Sequence, residues 1–141
     1  MEALRLALMV WISGVTGLLV PAELPQVVYA SDEQLCEVYT GKDCPADAST
    51  TIVALYHRVK HTMYLPDEFD VGHPYYISVL VHELTHHMQS CSDRQYPCVG
   101  AIEREAYAAG FKWLESMGLD ALAVSKLDML SLIHYTSCRR G

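Results

Sequence analysis

Residues 79 to 89 read VLVHELTHHMQ and contain His82-Glu83-Leu84-Thr85-His86, two histidines four positions apart with a glutamate after the first. On a helix that spacing leaves the two side chains about 40° apart, so both imidazoles can reach one ion. Glu83, beside the first ligand, lies near enough to take a proton from a water molecule at that ion without ligating it. The helix is signalled independently. Pro74 suits its first turn, and Ile77, Leu80, Val81, Leu84 and Met88 make an apolar stripe.

A catalytic zinc takes three protein ligands and leaves a fourth position for water. The third ligand is sought in IEREAYAAGFKWLE (102–115), which offers Glu103 and Glu105. Glu103, Ala106, Tyr107, Gly110, Phe111 and Leu114 follow helical spacing, so Glu103 belongs to the apolar face. A carboxylate on that face needs a cation, and the ion supplies one. Glu105 lies about 200° round the helix, near Lys112 and Glu115, where it reads as a solvated charge. The expectation is one zinc per chain, held by His82, His86 and Glu103. Small Ala106 and Gly110 would let this helix approach the motif helix closely.

HELTH followed by Glu103-Arg-Glu-Ala-Tyr resembles the zincin metallopeptidases of the gluzincin type. In those enzymes a polar residue that supports the ligands follows the glutamate by one helical turn, and Tyr107 takes that place here, where many members have Asp. The wider pattern, from about Trp11 to Leu114, is similar to a family of small, uncharacterised bacterial zincin-like peptidases. No third histidine of the metzincin kind follows His86. The resemblance implies an α+β zincin-like fold, with a small mixed or antiparallel sheet packed on the motif helix and further C-terminal helices. It also implies zinc-assisted cleavage of a peptide or protein substrate, with Glu83 as general base. Tyr107, His87, Tyr75, Tyr76 and His134 are the candidate donors to the developing oxyanion, with Tyr107 carried forward as catalytic. A catalytically inactive zincin-shaped module that binds zinc or a partner is the alternative. His87 reads as a surface or supporting residue; His57, His61 and His73, on strands or loops, read as non-ligands. A Cys98 thiolate is a further conceivable ligand.

The remaining elements must position these groups. Residues 1–17 read as a first amphipathic helix with Glu2, Arg5, Ser13 and Thr16 on one polar stripe. A signal-peptide core over 6–20 is the alternative. QVVYA (26–30) reads as a strand, and Ser31 with Gln34 as a capping box for a helix through Tyr39. GKDCPADAS (41–49) is turn chemistry. TIVALYHR (51–58) and HTMYL (61–65) read as adjoining strands, either of which could accept an extended peptide if it forms an edge. Three helices follow, at about 75–89, 101–117 and 121–135, punctuated by Gly100 and Gly118, with Asp120 as an N-cap.

The chain has 141 residues, 51% of them hydrophobic and 19% charged, enough for one packed domain over 1–141. A net charge of −7 and no basic block exclude a nucleic-acid partner. No apolar run is long enough for a membrane span. Five cysteines suggest disulfides and a periplasmic or secreted protein. The spacings favour Cys36 with Cys44 and Cys91 with Cys98, leaving Cys138 over, although other connectivities remain open.

Overall fold

A computed structural model describes residues 1–44 and 53–138. In chain order its elements are α1 (Glu2–Thr16), β1 (Gln26–Ala30), α2 (Asp32–Thr40), β2 (Leu55–His57), β3 (Thr62–Pro66), α3 (Pro74–Ser90), α4 (Val99–Ser116), α5 (Ala121–Ser125) and α6 (Met129–Thr136). The architecture is mixed α+β, six helices and a three-stranded sheet among the described residues. Most of the 41–49 turn and the first two residues of the 51–58 strand lie outside the described residues.

The motif helix forms as its sequence expects. Pro74 opens α3, and the His73 side chain caps it by accepting the Tyr75 N–H at 3.2 Å. All five stripe residues are buried, packed with Leu8, Met9 and Ile12 of α1 and Met63 and Leu65 of β3. Those β3 side chains are inaccessible to solvent, which fixes the sheet against the helices. The sheet order is β1-β3-β2, with β1 parallel and β2 antiparallel to β3. HTMYL is therefore the central strand, hydrogen-bonded on both sides, and cannot receive a peptide. Only β2 of the two candidates is an edge.

Helix α4 lies close against α3 because its facing residues are small. Ala106 is fully buried, and a Cβ on Gly110 would come within 3.1 Å of the Ser78 carbonyl oxygen. Trp11 and Trp113 meet edge to face, with centroids 5.4 Å apart, tying α1 to α4. The Ser31–Gln34 capping box and the Asp120 cap both form.

Three expectations are corrected. The segment 121–135 is two short helices, because Lys126 adopts a left-handed conformation (φ 57°) and Asp128 caps a new start through the Ser131 N–H. In α1 the polar residues do not form a solvent face. Arg5 is buried with Leu8, Met9 and Ile12 and donates to the Pro25 carbonyl, while Leu6 and Val10 are exposed. The disulfides are Cys36–Cys44, as expected, and Cys98–Cys138, leaving Cys91 free and exposed. The C-terminal tail reaches Cys98 because Arg104 holds the Thr136 carbonyl at 2.8 and 3.1 Å and Gly100 leaves room for the backbone of Ser137. None of the helices described is long and apolar enough to cross a membrane.

Candidate metal centre

Close packing of α3 on α4 brings three predicted ligands to one point. His82 Nε2 and His86 Nε2 are 3.1 Å apart. Glu103 spans them, Oε2 lying 3.2 Å from His82 Nε2 and Oε1 lying 2.8 Å from His86 Nε2. A tetrahedral zinc with bonds of 2.0–2.2 Å requires donors about 3.3 Å apart, and these separations of 2.8 to 3.2 Å, the two to Glu103 made by different oxygens, lie within about half an ångström of that. Two imidazoles and a carboxylate are also a donor set of the catalytic kind, with one position left for water.

Hydrogen bonds around the triangle decide which nitrogen of His86 faces it. The Gln89 amide nitrogen donates to the Ile102 carbonyl and to Glu105 Oε1, both at 3.0 Å, which fixes the amide's orientation. Gln89 Oε1 must then be the acceptor at 2.8 Å from His86 Nδ1, so Nδ1 carries a proton. His86 Nε2 is left to present a lone pair towards Glu103. A lone pair and a carboxylate oxygen 2.8 Å apart require a cation between them, a proton or a metal ion.

The electrostatics express the same requirement. Burial works to lower the His86 pKa, but the hydrogen bond to Glu103 and the charges of Glu83 and Glu103 outweigh it and raise the value to about 9. Burial works to raise that of Glu103, yet its bonds to His82 and His86 hold it far below the usual carboxylate range.

Glu83 stands apart. It is only 7% exposed, and its carboxylate accepts no hydrogen bond among the described residues; Oε1 lies 4.0 Å from His82 Nε2. Burial raises its pKa, opposed by His82 and His86 and reinforced by Glu103. Tyr107 packs its ring edge to face on His82, centroids 4.4 Å apart, and is backed by Tyr135 and Phe111. Burial and the charge of Glu103 push its phenol up to about 12, so it remains a donor, and its hydroxyl has no partner among the described residues.

Other candidates fall elsewhere. His87 is buried in the core side of α3, with Nδ1 2.7 Å from the Tyr56 hydroxyl and Nε2 3.0 Å from the Glu23 carbonyl. It is a structural histidine, neither surface nor facing the triangle. His61, His87 and Cys91 form a second cluster within 4.8 Å, but both His87 nitrogens are already committed. Cys98 is removed as a ligand by its disulfide. His57 and His73 accept backbone N–H groups in a turn and a helix cap. Tyr75 and Tyr76 lie in the first turn of α3 and His134 lies in α6.

Glu105 is not a solvated charge. Its carboxylate accepts from Gln89, from the Tyr96 hydroxyl and from Arg94 at 2.7 Å. It does lie off the apolar face of α4, but the loop 91–98 folds back over that side. Gln89 and Glu105 are thus supports that the ligand pattern alone did not reveal; the available sign was Gln89 three residues after His86, on the same helical side.

The whole chain, residues 1–141, matches one family model, described as Domain of unknown function (DUF6647). The chain belongs to this family. No curated protein and no solved structure matches it.

Proposed function

We propose that this protein is a zinc-dependent peptide hydrolase of zincin-like architecture, with His82, His86 and Glu103 as ligands and Glu83 as general base. A zinc ion there would supply Lewis acidity and lower the pKa of a water molecule at the open position. The single observation that carries the reading is Glu83. The residue is only 7% exposed and its carboxylate lies 4.0 Å from a ligand nitrogen, and a purely structural metal site has no use for a second carboxylate beside its ligands.

Glu83 accepts a proton from water as the water oxygen attacks the peptide carbonyl carbon. It then delivers that proton to the amide nitrogen as the C–N bond breaks, giving a carboxylic acid and an amine. Tyr107, unpartnered and protonated, donates to the oxyanion that develops on the carbonyl oxygen. Gln89, held by Glu105, keeps His86 in the tautomer that presents Nε2. The two disulfides support an oxidising location, periplasmic or secreted.

A capped peptide library incubated with zinc-loaded wild type and Glu83→Gln tests the reading. Cleavage by wild type alone, with equal zinc content in both proteins, is expected. No cleavage by zinc-replete wild type would leave a zinc-binding module without hydrolytic activity.

A further inference from the structure

We infer that the polar cavity beside His86 binds a carboxylate of the substrate, with Arg58 as its ion partner. This rests on the hydrolase reading and extends it to substrate class: a peptide carrying an acidic group near the scissile bond. The cavity has a volume of about 280 Å³, enough to take a side chain of a bound peptide. His86 lines it and Glu83 does not, so it flanks the reacting centre and accommodates a neighbouring part of the chain.

Its charge is the deciding feature. The protein carries seventeen acidic and ten basic residues, yet the cavity wall holds two arginines and no carboxylate. The two are not equivalent. Arg94 is bound to Glu105 at 2.7 Å and to the Thr16 carbonyl at 3.1 Å, so its charge is compensated. Arg58 has no ion pair and no side-chain hydrogen bond among the described residues. Among the described residues it is the cavity cation without a counter-charge, on an exposed residue, and a guanidinium is suited to hold a carboxylate by two parallel hydrogen bonds. Much of the remaining wall is held in shape, because Gln89, Tyr96 and Arg94 are all tied to Glu105. A cavity lined by these tied residues and by one guanidinium unpaired among the described residues suits an anion of side-chain size.

Binding to zinc-loaded Glu83→Gln protein tests this without requiring turnover. The probes are capped, amidated hexapeptides with Glu or Gln at each position in turn, and the same neutral peptides with a free C-terminus. At least one acidic peptide, or the free-acid series, should bind ten or more times tighter than its neutral counterpart; which one does identifies the source of the carboxylate. In Arg58→Ala the difference should shrink below about twofold, in Arg58→Glu it should reverse in favour of the neutral peptides, and Arg58→Lys should retain part of it, all with unchanged zinc content. Equal binding of acidic and neutral peptides, absence of binding by every peptide, or a preference surviving Arg58→Glu overturns the proposal. Arg58-dependent binding without cleavage by wild type would remove the hydrolase reading and leave the carboxylate pocket standing. Cleavage indifferent to acidic groups would do the reverse.

Discussion

Gln89→Leu separates support of a ligand from support of the fold. In the wild type, Gln89 is 6% exposed and makes three hydrogen bonds, to His86 Nδ1, the Ile102 carbonyl and Glu105. Leucine fills a similar volume and makes none. At about 1 kcal/mol per neutral bond and about 1.5–3 for the one to a carboxylate, stability should fall by roughly 3–5 kcal/mol. His86 also loses the acceptor that fixes its tautomer, and removal of such a partner typically costs about 10–100-fold in metal affinity. Gln89→Glu is the control. Its carboxylate still accepts from His86 Nδ1 but has lost the donors to Ile102 and Glu105, so it should be destabilised comparably while holding zinc within a few-fold of wild type. Urea unfolding gives the first quantity, and competition with a chromophoric chelator gives the second. A Leu variant that is destabilised but binds zinc as tightly as wild type would refute the orienting role. So would losses of affinity in both variants that simply track their losses of stability.

Zinc affinity should rise about tenfold per pH unit between pH 7 and 9 and flatten above, because the ion must displace the proton held at His86 with its pKa raised to about 9; a pH-independent affinity in competition titrations argues against it. In chelator-treated protein the same raised value contributes stability fully below the ordinary histidine pKa, and this is lost as pH climbs through about 9, so chemical melts should show a fall across that window only without zinc. Tyr56→Phe leaves the buried His87 Nδ1 unsatisfied and should cost about 1–3 kcal/mol without changing zinc content; loss of zinc would place His87 in the metal site. Non-reducing peptide mapping should recover Cys36–Cys44 and Cys98–Cys138 with Cys91 alkylated, and opening the longer loop by reduction should cost about 4 kcal/mol on loop-entropy reasoning.

What was legible in the sequence was what local periodicity controls. The five-residue stripe of α3, the capping box at Ser31 and the inward face of α4 depend on neighbours three or four positions away, and they placed His82, His86 and Glu103 together. What was not legible depends on chain paths. Cys98 pairs with Cys138 across 40 residues because α6 returns along α4, and no spacing rule encodes that return. Glu105 departs from expectation for the same reason: its azimuth on α4 is off the apolar face, but the loop bearing Arg94 and Tyr96 covers that side. Arg5 shows the limit of a polar stripe as a sign of solvent, since one carbonyl, that of Pro25, draws its guanidinium inward. His87, beside a ligand in sequence, points about 100° away from it on the helix and serves the core.

We propose one zinc ion per chain, held by His82, His86 and Glu103 together. Anomalous diffraction collected on either side of the zinc absorption edge from zinc-loaded crystals tests it most directly. One peak per chain should lie within about 2.0–2.2 Å of His82 Nε2, His86 Nε2 and a Glu103 oxygen. A peak at the His61–His87–Cys91 cluster, or no peak between α3 and α4, would contradict it.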